Sequence, residues 1–188
     1  MSEHPYRLTV IVGSTREGRF APVIAHWFTR HAARHPHIDV DVIDLDAVRP
    51  YTLRHGSEEY ESFAKRVDEA DAFVVITPEY NHSFPAPLKH AIDLLHTPWQ
   101  AKPVGFVSYG GISGGLRAVE QLRLVFAELH ATTVRDTVSF PLAGNLFDDA
   151  GELRDPAAAT QAADALLHQL TWWAVTLREA RATRPYGG

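Results

Sequence analysis

The sequence predicts an α/β fold: an open, doubly wound parallel sheet of five strands, order 2-1-3-4-5, with helices on both faces. Three observations carry this prediction. Strand-length apolar runs alternate with amphipathic helical stretches along the whole chain. The run Ala72-Phe73-Val74-Val75-Ile76 is apolar at every position, the mark of a central strand covered on both faces. The run Ile38-Asp39-Val40-Asp41-Val42-Ile43-Asp44 alternates apolar and acidic residues, as a half-exposed edge strand does.

In chain order, the first strand covers 7–12 and ends in Leu8-Thr9-Val10-Ile11-Val12. A polar loop follows, then a helix over 21–35 and the edge strand over 38–44. Residues 45–57 contain Pro50 and Gly56 and read as a loop. A helix over 58–70 leads into the strand at 72–76, and a helix over 85–95 into a strand at 103–108. Next come a helix over 116–130 and a strand over 132–138. After a long loop, 141–155, the last helix spans 156–181, opened by Pro156 at a first helical position behind Asp155. The tail, 182–188, reads as loose. No repeat, linker or low-complexity block interrupts the pattern, so 1–188 reads as a single domain.

A length of 188 residues suits one domain with a proper core, and 45% hydrophobic with 22% charged residues describes a globular chain. The net charge of -5 implies no basic face and argues against a nucleic-acid partner. With no cysteine, disulfides, thiolate nucleophiles and cysteine-built metal centres are excluded. Met1-Ser2-Glu3-His4-Pro5 is not a signal peptide, and no apolar run approaches membrane-spanning length, so the cytoplasm is the expected compartment.

Ligands of such sheets sit outside the carboxyl ends of the strands, where the strand order reverses. The loops after strands one, three and four meet there, and they are the most decorated in the chain. The first, Gly13-Ser14-Thr15-Arg16-Glu17-Gly18-Arg19, joins a strand to a helix N-terminus and offers free N–H groups, hydroxyls and two guanidinium forks. It lacks the lysine of a nucleotide P-loop and the second glycine of a dinucleotide fingerprint, and so fits a terminal monophosphate. The alternative is an ordinary turn capped by Ser or Thr. The second loop carries Pro78-Glu79-Tyr80-Asn81: a ring to pack on a flat aromatic ligand and, near 79–81, backbone N–H groups for its polar edge. A plain proline turn is the other reading. The third, Ser108-Tyr109-Gly110-Gly111 with Gly114-Gly115, has four glycines in six positions and lets backbone approach a ligand.

These three motifs, with Pro85 and Leu88-Lys89 behind the second, resemble the NADPH-dependent FMN reductase family over almost the whole chain. The resemblance implies a flavodoxin-like fold, non-covalent FMN and a dimer or tetramer. It also implies electron transfer from NADPH or NADH to flavin, quinone, azo or metal-oxyanion acceptors. Carried over by position, Ser14, Arg16, Gly18 and Arg19 hold the FMN phosphate. Pro78, Glu79, Tyr80 and Asn81 line the flavin, and Ser108, Tyr109, Gly110 and Gly111 close its other edge. The chain departs from many relatives at Gly18-Arg19, where they place a serine. Arg19 there either supplies charge or faces solvent. No side chain is assigned as a catalytic acid or base, and no metal is expected. A flavodoxin-like electron carrier without its own NAD(P)H activity is the alternative; a phospho-receiver domain lacks its acidic pair and aspartate here.

His31, His35 and His37 read as a solvated helix end, and Trp172-Trp173 as packing residues. The apolar faces of 85–95 (Leu88, Ala91, Ile92, Leu95) and 116–130 (Leu116, Val119, Leu122, Val125, Phe126) read as part core, part seam between protomers, with Phe84 and Trp99 near a shared pocket wall.

Overall fold

In a computed structural model, which describes residues 5–187, five parallel strands form one sheet in the order β2-β1-β3-β4-β5. The strands are β1 Tyr6–Val12, β2 Ile38–Asp44, β3 Ala72–Pro78, β4 Pro103–Gly110 and β5 Thr132–Pro141. Among the described residues the helices are α1 Ala21–Ala32, α2 Leu45–Val48, α3 Glu58–Asp68, α4 Ala86–Asp93, α5 Leu116–Glu128 and α6 Ala157–Thr183.

The period of two along β3 explains its unbroken apolar run. Val74 and Ile76 face one layer, with Ile24 and Phe28 of α1 and Leu166, Leu167 and Leu170 of α6. Phe73 and Val75 face the other, with Phe63 of α3, Leu88 and Ile92 of α4, and Leu122 and Phe126 of α5. Each such side chain stabilises the fold by roughly 1.5–3 kcal/mol through burial, so a polar residue on either face would open a layer.

Three segments differ from the sequence reading. Residues 45–57 are not a plain loop: the Asp44 carboxylate accepts the Asp46 N–H (3.0 Å) and starts α2, and Leu45, Pro50 and Leu53 are buried. Strands β3, β4 and β5 run beyond their apolar stretches, which places Pro78, Tyr109 and Gly110 at strand ends rather than in loops. The tail is anchored where Tyr186 Oη meets His130 Nδ1 at 2.9 Å; Gly188 lies outside the described residues.

Side chains take up some of the backbone groups of both edge strands. On β2, Asp41 accepts Arg66 Nη2 (2.8 Å), and the same Nη2 donates to the Val42 carbonyl (2.5 Å). On β5, Arg123 donates to the carbonyls of Val134 (2.8 Å) and Arg135 (3.1 Å). Gln169 Oε1 accepts the Arg135 and Asp136 N–H groups (3.1 and 3.2 Å).

Trp172 and Trp173 are not core residues; they are 59% and 37% exposed and pack edge-to-face on each other. Trp99 is buried, its Nε1–H shared between the Ile92 and Leu95 carbonyls, and so lies in the core rather than at a shared wall. Leu88, Ala91, Ile92, Leu95, Val119, Leu122 and Phe126 are also core. That leaves Leu116 and Leu124 as the exposed leucines of α5.

Candidate functional site

The order 2-1-3-4-5 sets the carboxyl ends of β1, β3 and β4 side by side, and the three decorated segments meet there. The first leaves β1 at Gly13, whose N–H donates to the Ile76 carbonyl (2.9 Å). A turn closes where the Arg19 N–H meets the Arg16 carbonyl (3.1 Å), with Gly18 at φ +65°, a left-handed value that suits glycine. Among the described residues, the N–H groups of Ser14, Thr15, Arg16, Glu17 and Gly18 donate to no protein acceptor. Arg16 is exposed and has no carboxylate partner among the described residues. Ser14 is fully buried, and its Oγ lies 2.9 Å from Tyr80 Oη.

Arg19 neither faces solvent nor offers a free fork. Its guanidinium meets both Asp44 oxygens (2.6 and 2.7 Å), reaches Asp46 (3.4 Å) and donates to the Ser14 carbonyl (2.8 Å). The hydrogen bonds to Asp44 hold it more firmly protonated than an ordinary arginine. It ties the first loop to the end of β2.

In the second segment Pro78 is buried. The Glu79 N–H donates to the Tyr109 carbonyl (3.0 Å), and the Tyr80 N–H and carbonyl both bond Ser83 (2.8 and 3.0 Å). Asn81 (φ 50°) and His82 (φ 69°) are both left-handed, the pair of positive φ values that a type I′ turn requires. The turn sets Asn81 at the rim. Of the amides at 79–81, only that of Asn81 is left for a ligand among the described residues.

The Glu79 side chain turns away from the rim. It is 5% exposed and accepts Ser113 Oγ (2.7 Å), the Arg117 N–H (3.1 Å) and Arg117 Nε (2.5 Å), so it caps α5 and staples the second segment to the third. Desolvation alone would raise its pKa; the bonds from Arg117 and Ser113 outweigh that and hold it below the ordinary 4.5. A depressed carboxylate stabilises the fold above its unfolded pKa, and that stability is lost as pH falls through the folded value. Glu79→Gln is therefore expected to lower stability by about 1–2 kcal/mol near neutrality and to flatten the loss of stability below about pH 4.5. Melts recorded from about pH 7 to pH 3 check both; identical acid-side slopes would remove Glu79 from the acid response.

The third segment turns on Gly114 (φ +61°) and Gly115 (φ +90°). Ser108 is buried, and its Oγ donates to the Gly114 carbonyl (2.8 Å) rather than to the rim. Tyr109 is 7% exposed, and burial pushes its hydroxyl well up, so it stays protonated. The Ser14 and Tyr80 hydroxyls pair beneath the three segments. The Gly110 and Gly111 carbonyls both accept the Leu142 N–H (2.9 and 3.0 Å). The N–H groups of Gly111, Ile112 and Ser113 have no protein acceptor among the described residues. Ile112 is 92% exposed beside them, an apolar rim residue that sequence reading passed over.

Of the predicted site residues, Arg16, Gly18, Asn81, Gly110 and Gly111 thus border one open shelf. Ser14, Pro78, Tyr80, Ser108 and Tyr109 lie beneath it. Glu79 and Arg19 are turned to protein partners.

The model of the family described as NADPH-dependent FMN reductase matches residues 6–145. The NAD(P)H-dependent FMN reductase of Schizosaccharomyces pombe is 34% identical over 124 residues, covering 58% of this chain and 60% of that protein. The quinone reductase of Pseudomonas putida is 30% identical over 162 residues, covering 80% of this chain and 86% of the relative. Among solved structures, an NAD(P)H:(acceptor) oxidoreductase flavoenzyme from Paracoccus denitrificans aligns with a TM-score of 0.70 at 20% identity, covering 89% of this chain and 97% of that one. Since the family model takes in all three loops and the sheet beneath them, the chain belongs to the NADPH-dependent FMN reductase family.

Proposed function

We propose that the chain binds FMN non-covalently on this shelf and passes electrons from NADPH or NADH through it to small acceptors such as quinones, flavins or azo compounds. The observation that carries this reading is the row of N–H groups from Ser14 to Gly18 that, like the exposed Arg16 among them, have no protein partner among the described residues. Such a nest, with a guanidinium at its mouth, is what a phosphate monoester of up to two charges requires. The S. pombe and P. putida relatives, named for FMN and quinone reduction, support it.

When bound, FMN supplies the exchange of an electron pair between nicotinamide and acceptor. The chain's part is to bind and orient. Residues Ser14 to Gly18 hold the phosphate. The Asn81 amide and those of Gly111, Ile112 and Ser113 donate to the polar edge of the ring, where negative charge accumulates on reduction. Tyr80, whose hydroxyl meets Ser14, and buried Tyr109 form a floor; burial keeps the Tyr109 hydroxyl protonated, so it does not serve as a base. The face above them opens to solvent, where donor and acceptor enter in turn.

FMN-loaded protein is expected to oxidise NADPH or NADH continuously when a benzoquinone is supplied, followed by the loss of nicotinamide absorbance. Bound FMN with no nicotinamide oxidation would instead make the chain a carrier. We also assign a homodimer or homotetramer, supported by exposed Ile112, Leu116 and Leu124 beside the site; light scattering decides. No helix among the described residues is long and apolar enough to cross a membrane, and the proposed compartment is the cytoplasm.

A further inference from the structure

We propose that the end of α1 and the first half of α6 form a site for a divalent transition cation of the Zn²⁺ class, with His31, His35 and Asp164 as ligands. The three side chains bring one ligand atom each to within 4.8 Å of one another. His31 Nε2 lies 2.7 Å from Asp164 Oδ1, and His35 Nε2 lies 3.8 Å from the same oxygen. Metal–ligand bonds of 2.0–2.2 Å in tetrahedral arrangement separate ligands by roughly 3.3 Å, so the observed spacings bracket what a bound ion needs.

The local structure explains the convergence. His31 and His35 are four residues apart, and the chain continues in tight turns past Ala32 (Arg34 N–H to His31 carbonyl, His35 N–H to Ala32 carbonyl), so the two imidazoles stay on one side. Their rings lie 5.8 Å apart. His31 is 7% exposed and stacks on Trp27 at an interplanar angle of 15°, which fixes its ring. The helix end adds negative potential that favours a cation.

Without metal, His31 Nε2 meets Asp164 Oδ1 directly at 2.7 Å, and an ion bound between them would replace that contact. His35 and Asp164 also border a cleft of about 900 Å³, together with His37, His168 and Trp172. Two imidazoles and one carboxylate select Zn²⁺ or its first-row neighbours over Mg²⁺ and Ca²⁺, which need sets of oxygens. The site lies on the α1–α6 face and does not depend on the FMN reading.

Untagged, chelator-treated protein titrated with ZnCl₂ by calorimetry tests this. One saturable site is expected. ZnCl₂ at about a hundredfold over Kd should raise the melting temperature by about 5–10 °C, and MgCl₂ should not. His35→Ala and Asp164→Asn, at a half-buried and an exposed position, should each weaken binding at least about tenfold. His26→Ala, exposed earlier on α1, should leave it unchanged. No saturable binding by the parent protein, or equal affinity in both ligand variants, would overturn the site.

Discussion

Arg16→Ala is expected to weaken FMN binding roughly 10- to 100-fold while leaving the melting temperature of the flavin-free protein unchanged. The two halves of this expectation have separate physical sources. Arg16 is exposed and has no carboxylate partner among the described residues, so its removal breaks no contact of the flavin-free fold. Arg16 belongs to the loop whose N–H groups, from Ser14 to Gly18, have no protein acceptor among the described residues, so its loss falls on a phosphate bound there. Arg16→Lys keeps the charge but not the fork and should fall between. Arg19 supplies the contrast. Its alanine variant strips Asp44 of a bidentate partner and frees the first loop from the end of β2, so it should lower the melting temperature first and touch FMN only indirectly. Titration of the flavin-free protein with FMN, followed by flavin fluorescence, measures both. Equal affinity in Arg16→Ala would remove that residue from the site.

Gly115→Ala is expected to cost about 2–5 kcal/mol, a fall of roughly 5–15 °C in melting temperature. Gly115 holds φ +90°, where a side chain is strained. A Cβ there would stand 2.7 Å from Ser108 Cβ and 2.9 Å from the Tyr109 nitrogen. Those atoms belong to β4, which is flanked on both sides by β3 and β5 and cannot shift cheaply. The third segment must move instead, and with it the Ser113 and Arg117 donors that hold Glu79. FMN affinity should fall together with stability, unlike in Arg16→Ala. A variant melting within about 2 °C of the parent would mean that the segment has slack the geometry does not show.

The architecture was legible because each strand carries its own burial signature. β3 reads as a central strand from five consecutive apolar residues, and β2 reads as an edge from its alternating aspartates. The candidate site was legible to the level of segments: glycine, hydroxyl and arginine content marked the loops, and the strand order sets their strand ends side by side. Side-chain direction was not, because it is settled by partners far away in sequence. Arg19 looks like a phosphate ligand until Asp44, 25 positions on, ends the adjacent strand beside it. Glu79 looks like a ring contact until Arg117 and Ser113 claim it. His31 looks like a solvated helix end until Asp164, 133 positions away, meets it. One miss was readable locally: Asp44 ahead of Leu45-Asp46-Ala47-Val48 is an N-cap signal for the short α2.

The arginine and glutamine contacts along β2 and β5 bear on how copies of this chain come together. Carbonyl and amide groups that would template an incoming strand are already spoken for at Val42, Val134, Arg135 and Asp136. Strand-by-strand growth into a continuous intermolecular sheet is thereby opposed at these points on both edges. A ladder of pathological pairing therefore meets occupied rungs at these positions.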